Sequence, residues 1–105
     1  MLIYLSGPYT YPDPVYNTHL AIKEADRVLA LGHTPLIPHL NLVWQMASPK
    51  PYDEWLQIDL EIMSHCDVVY RFGGESHGAD VEVREAVEIG LPVIYSLDKL
   101  ADYVV

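Results

Sequence analysis

The chain has 105 residues, half of them hydrophobic, and its six basic and fifteen acidic side chains give a formal net charge of −9. That length suits one domain, 1–105, with apolar content ample for a core, and so small a domain gains from oligomerisation. The negative charge repels nucleic-acid backbones and anionic membranes, which argues against polymer or membrane binding and directs the search to small-molecule chemistry. The single cysteine, Cys66, can form no internal disulfide. Met1-Leu2-Ile3-Tyr4 lacks the basic n-region of a signal peptide, and no apolar run approaches the roughly 20 residues of a membrane span, so a soluble cytoplasmic protein is expected.

Residues 2–6, LIYLS, read as a short buried strand, followed by the turn-rich GPYTYPDP, in which Asp13 caps and Pro14 opens a helix. That helix is expected to run to about Leu31, with Ala21, Ala25, Val28 and Leu29 as its buried stripe and Gly32 as its left-handed C-terminal residue. Residues 33–39, HTPLIPH, form the second strand, placed at a sheet edge by Pro35 and Pro38, which cannot donate to a ladder. Residues 40–52 have no clean period and carry two prolines in their final third, which predicts a mobile loop or lid. A second helix spans about Asp53 to Cys66, residues 67–72 form the third strand, and a third helix follows with Glu82 in its first turn. Residues 92–97 form the fourth strand, and 97–105 a short terminal helix or tail.

The order βαβαβαβ, with strands that are near-continuous apolar runs, predicts an α/β fold. We expect a three-layer flavodoxin-like or Rossmann-like parallel sheet with helices on both faces and strand order 2-1-3-4. In such sheets a ligand crevice lies beyond the C-terminal strand ends at the topological switch point. The segments SGPYT, FGGESHG and the front of the third helix converge there.

Two carboxylates sit where periodicity does not want them. At about 100° per residue, Glu82 falls inside the apolar arc of Ala79, Val83, Ala86, Val87, Ile89 and Gly90, while Asp80, Arg84, Glu85 and Glu88 already supply the polar side. Asp59 likewise lies in the arc of Trp55, Leu56, Ile62, Met63 and Cys66. One inward acid is readily a salt-bridged structural group. Two, on different helices of a chain poor in basic side chains, are better understood as a site, because an unpaired buried acid costs several kcal/mol. A first-turn Glu82 is held ionised by the helix dipole, whereas mid-helix Asp59 in apolar surroundings favours its neutral form. One anion beside one proton donor is the division of labour that glycosidic cleavage requires.

IYLSGPYT, Asp59 eight residues ahead of Asp67, and S-H-G-A-D-V-E followed by A-V-E-I-G-L-P-V together resemble the nucleoside 2-deoxyribosyltransferase superfamily over most of the chain. The likeness is nearest to its small uncharacterised members and to the 2′-deoxynucleoside 5′-phosphate N-hydrolase branch. The resemblance implies that Glu82 attacks C1′ of the sugar and expels the base, leaving a glycosyl-enzyme ester that water or a second base resolves. It further implies that Tyr4 hydrogen-bonds this nucleophile and that Asp59 orients the sugar or assists proton transfer to the leaving base. Ser76 and Gly78 would line the sugar or 5′ side, and Gly7 would allow close backbone approach to the ligand. Transferases commonly carry an acid six residues ahead of the nucleophile; Ser76 stands there, as in the hydrolase branch, which favours hydrolysis over transfer. The first loop lacks the arginine that grips phosphate in that branch, so nucleoside and 5′-monophosphate both stand as substrates; Arg71 could serve as phosphate ligand, although a strand-three arginine is more often held in structural pairing. Members complete their sites from a neighbouring subunit, which implies a homodimer or higher homo-oligomer. The apolar end Tyr103-Val104-Val105 suits such a contact and equally suits core or tail.

Tyr9 and Tyr11 are candidates for base or sugar contact, and His39 and His77 for the pocket border. Trp55 is expected in the core, with Trp44 open between core and base stacking. The five histidines (19, 33, 39, 65 and 77) show no i,i+4 ligand pair, so no metal is expected, and GGESHG is neither a Walker loop nor G-x-G-x-x-G, so no dinucleotide cofactor is expected. Two other readings of the same residues are a nucleotide-binding or sensing module without turnover, and a ribonucleotide phosphoribohydrolase.

Overall fold

The computed structural model describes residues 1–103. Its elements in chain order are β1 (Leu2–Ser6), α1 (Pro14–Ala30), β2 (Thr34–Leu36), α2 (Asn41–Ala47), α3 (Tyr52–Met63), β3 (Val68–Arg71), α4 (His77–Glu88), β4 (Val93–Ile94) and α5 (Leu97–Ala101). The four strands are parallel in the expected order, β2-β1-β3-β4, with the proline-bearing β2 at one edge. Tyr4, at the centre of β1, is flanked by Leu36 of β2 and Val69 of β3.

Because successive strand side chains point to opposite faces, the sheet divides its apolar residues between two layers. Ile3, Leu5, Val68, Tyr70 and Ile94 pack with Ala21, Ala25 and Val28 of α1 and with Leu100 of α5. Tyr4 and Val69 take the other face with Met63 of α3, Cys66 and Ala86 of α4. Helices therefore cover both faces, as the apolar strands require.

Local chemistry sets the helix ends. The Asp13 carboxylate accepts the Val15 N–H at 3.0 Å ahead of Pro14, and Gly32, at φ 90°, carries the chain out of α1 into β2. At the end of α4, Gly90 takes φ 81° and the Leu91 N–H returns to the Ala86 carbonyl at 2.8 Å, closing the helix ahead of β4.

Several expectations need correction. Leu29 is 59% exposed, because the buried line of α1 runs through Ala21, Ala25 and Val28 and leaves Leu29 one step, about 100°, to the side. The inward stripe of α4 is narrower than expected: Ala79, Glu82 and Ala86 are buried, while Val87 is 65% exposed and Ile89 lies beyond the helix end. Residues 40–52 are not a plain loop. A 3₁₀ turn at Pro38–Leu40 leads into α2, which has no side-chain N-cap and no fully buried residue. The terminal stretch forms α5, capped where the Ser96 hydroxyl accepts the Lys99 N–H at 3.2 Å. Tyr103 packs against the α1 layer; Val104 and Val105, the rest of the apolar triplet, lie outside the described residues. Among the described residues no helix is long and apolar enough to cross a membrane.

Candidate active site

The site grows from the period-2 geometry of β1. Tyr4 and Ser6 share the face covered by α3 and α4, and both reach Glu82. The Tyr4 hydroxyl donates to Glu82 Oε2 in a short hydrogen bond, and Ser6 Oγ donates to Oε1 at 2.8 Å. Both carboxylate oxygens are thus held by side chains from one strand, and Glu82 is 8% exposed. Burial pushes its carboxyl group up from the ordinary carboxylate range, against the hydrogen bonds from Tyr4 and Ser6 and the positive charge of Arg71. Burial, then the charges of Glu82 and Asp59, hold the Tyr4 hydroxyl well above its usual value, so it keeps its proton and donates.

One feature of this arrangement differs from expectation. Ser76 is the N-cap of α4, its Oγ accepting the Ala79 N–H at 3.1 Å, so Glu82 belongs to the second turn and Asp80 to the first. The helix dipole fades within the first turn. The Tyr4 and Ser6 hydroxyls supply the anion's support instead.

Asp59, at mid-α3, is half-buried, and its Oδ1 accepts the Asn41 Nδ2–H at 3.0 Å. Burial first, and then the negative charge of Glu82, push its carboxyl up from 3.8 to about 7, against the Asn41 hydrogen bond. The expected rise is found at Asp59, which is poised between neutral and ionised at physiological pH, but burial raises Glu82 as well, so the two acids are not opposed in the direction of their shifts.

Both acids line one cavity of about 450 Å³ beyond the C-terminal ends of the strands. Gly7, Tyr9, Ser76, His77 and Gly78 line it as well, while Tyr4 lies fully buried beneath Glu82. The loop after β1 is fixed from below by Asn17 of α1, a buried side chain whose Nδ2 donates to the carbonyls of Tyr9 at 2.9 Å and Tyr11 at 2.8 Å. Gly7 has a packing reason of its own: a Cβ there would stand 2.6 Å from the Phe72 ring. Gly7→Ala is therefore expected to lower stability by about 1–3 kcal/mol, read from urea unfolding. At Gly78 a Cβ would approach the Tyr52 hydroxyl to 3.2 Å, so this glycine keeps the start of α4 open to α3.

Other residues fall differently. Arg71 turns away from the cavity: its guanidinium donates to the carbonyls of Phe72 and of Gly74, the latter at 2.6 Å, and tethers the glycine-rich loop that leads to α4. Trp55 is not core. It walls the cavity, donates its Nε1–H to Gln45 Oε1, and meets Trp44 edge-on with ring centroids 4.9 Å apart. Trp44 is exposed and does not line the cavity. Lys50 Nζ sits 5.1 Å from the Trp44 ring and 5.7 Å from the Trp55 ring. His39 borders the cavity, with Nε2 3.0 Å from the Pro8 carbonyl. Among the described residues no group of three or more His, Cys, Asp or Glu side chains is placed to hold a metal ion.

Ser6, Asn41, Gln45, Lys50 and Tyr52 escaped the sequence reading. Ser6 was available in principle, two residues after Tyr4 on a strand. Tyr52 stands seven residues before Asp59, two turns away on the same helix face. Asn41 and Gln45 have helical i,i+4 spacing, which carries meaning only once residues 41–47 are known to be helical.

A family model described as "Domain of unknown function (DUF4406)" matches residues 1–95. No curated protein matches the chain. Among solved structures, a 2-deoxyribosyltransferase from the psychrotolerant bacterium Bacillus psychrosaccharolyticus is similar, with a TM-score of 0.66 over 99% of this chain and 93% of that one, at 18% sequence identity. At that identity the likeness speaks for the fold, including the parallel four-stranded sheet. Matched from its first residue through β4, the chain belongs to the DUF4406 family and shares its fold with a nucleoside 2-deoxyribosyltransferase.

Proposed function

We propose that the protein cleaves or transfers at the N-glycosidic bond of a (deoxy)nucleoside or its 5′-monophosphate, with Glu82 as nucleophile and hydrolysis preferred. The observation that carries this reading is the pairing of two unlike acids in one cavity: Glu82, gripped on both oxygens by Tyr4 and Ser6, and Asp59, held on one oxygen by Asn41, with its carboxyl pushed up to about 7 by burial and by the charge of Glu82. A shared fold with a 2-deoxyribosyltransferase accords with it.

In the first step a Glu82 oxygen bonds to C1′ as the C1′–N bond breaks, and the bond's electron pair leaves with the base. Asp59 in its protonated form supplies the proton that the departing nitrogen takes up. The product is a glycosyl ester on Glu82. In the second step water attacks C1′, the Asp59 carboxylate accepts the water proton, and the Glu82 carboxylate is released to its two hydroxyl donors. Tyr4 and Ser6 fix the direction of attack while leaving the anion unneutralised. Tyr9, Tyr52 and Trp55, around the same cavity, offer aromatic faces to a base. No cofactor takes part. A homodimer or larger homo-oligomer belongs to this reading, since Val43 and Met46 stand exposed on α2 beside the cavity wall.

Incubation with a panel of ribo- and deoxynucleosides and their 5′-monophosphates, followed by chromatography, is expected to show free base. Intact-mass analysis is expected to show a sugar-bearing enzyme. A second free base in the mixture separates transfer from hydrolysis, and release from ribonucleotides alone identifies a phosphoribohydrolase. Ligand binding without base release from any member would replace the catalytic reading with that of a binding module.

A further inference from the structure

Glu82 has two protein donors and Asp59 has one. Among the described residues Asn41 is the side chain that hydrogen-bonds Asp59, through Nδ2 to Oδ1 at 3.0 Å. Asn41 opens α2 directly after the 3₁₀ turn at Pro38–Leu40, and that turn is anchored independently of Asp59. The Thr18 hydroxyl donates to the His39 carbonyl at 3.3 Å, and the His39 ring meets the Pro8 carbonyl at 3.0 Å. The amide is therefore presented to α3 from a braced position, and it lines the same cavity as Asp59 and Glu82.

We propose that Asn41 is a positioning residue that fixes the Asp59 carboxyl group and confines its mobile proton to Oδ2, the oxygen that Asn41 leaves unengaged. The assignment rests on the reading of Asp59 as the proton carrier. Its basis is acceptor strength: Oδ1 receives the Asn41 N–H, and in a neutral carboxyl the carbonyl oxygen is a better acceptor than the hydroxyl oxygen, so that hydrogen bond favours the proton on Oδ2. A neutral Asp59 thus carries its proton on Oδ2. As the C1′–N bond breaks, that proton moves to the base nitrogen, which keeps the bond's electron pair, and Asn41 stabilises the carboxylate left behind by a charge-assisted hydrogen bond. In the second step Oδ2 takes the proton from the attacking water, which restores the starting state with one water consumed.

The charged and titratable groups facing Asp59 are Glu82 from α4, Tyr4 from β1, Tyr9 from the loop after β1, and Tyr52 from the first turn of α3 itself. Glu75, His39, His77 and Lys50 line the same cavity. Against this mainly acidic surrounding, the Asn41 amide is the group that favours the ionised form.

The test is a carbon-13 NMR titration of the Asp59 carboxyl in the wild type, in Asn41→Leu, which keeps the shape and removes the donor, and in Asn41→Asp. Asp59 is expected to titrate about one pH unit higher in Asn41→Leu, and higher again in Asn41→Asp, where two carboxylates compete for one proton. The alkaline limb of base release is expected to move up by the same amount, with kcat falling and KM little changed. An Asp59 titration at the wild-type pH in both variants would overturn the proposal. If the wild type releases no base, the NMR shift still decides the role of Asn41 while the catalytic reading alone fails; Asn41→Asp, nearly identical in shape, keeps the question answerable should Asn41→Leu not fold.

Discussion

Replacing Glu82 with alanine is expected to lower base release by at least about 10⁴-fold, because the residue proposed to form the covalent bond is gone and, among the described residues, no other acid in the cavity is held by two side-chain donors. The sugar-bearing species should vanish from intact-mass spectra at the same time. Folding is expected to persist, since the substitution removes a buried charge as well as two hydrogen bonds, and circular dichroism with thermal melting checks this. A folded Glu82→Ala protein that still releases base within tenfold of the wild-type rate would remove Glu82 from the chemistry.

The second large effect is a divergence between stability and activity at Asp59. In the folded protein its carboxyl lies at about 7 rather than 3.8, so between those values the native state holds a proton that the unfolded chain has lost. The contribution of Asp59 is therefore most favourable below about pH 4, falls as the pH rises towards 7, and stays unfavourable above it. The full shift corresponds to about 4 kcal/mol; partial exposure of this half-buried side chain reduces the expected penalty at pH 8 to about 1–3 kcal/mol. Asp59→Asn keeps the shape and carries no charge. It is expected to stabilise the protein by that amount at pH 8 and hardly at all near pH 4, as read from urea unfolding, while lowering base release by about 10²–10³-fold. A variant less stable than the wild type at pH 8 would contradict the electrostatic account, and an unchanged rate would leave Asp59 outside the reaction.

Much of this was legible in the chain. Continuous apolar strands and 3.6-residue periods carry the layer order and the parallel sheet, and Pro35 marks β2 as the edge. The inward direction of Glu82 follows from the positions of Ala79 and Ala86, one turn either side of it. What was hidden depends on contacts between elements. Helix α2 buries no residue completely, so it has no apolar period to detect; it is held by Asn41 on Asp59, by Gln45 on Trp55 and by the edge-on tryptophan pair. Trp55 has a core residue's chemistry and is instead cavity wall, because its indole N–H finds a partner on a helix the pattern did not announce. Glu82 lies one turn deeper in α4 than the apolar pattern implies, because Ser76 caps the helix earlier than that pattern begins.

The Asn17 clasp on the Tyr9 and Tyr11 carbonyls has a bearing on how a guest molecule enters. A rim whose backbone is already pinned loses little conformational freedom when something settles against it, so the entropic toll of capture is light on that side.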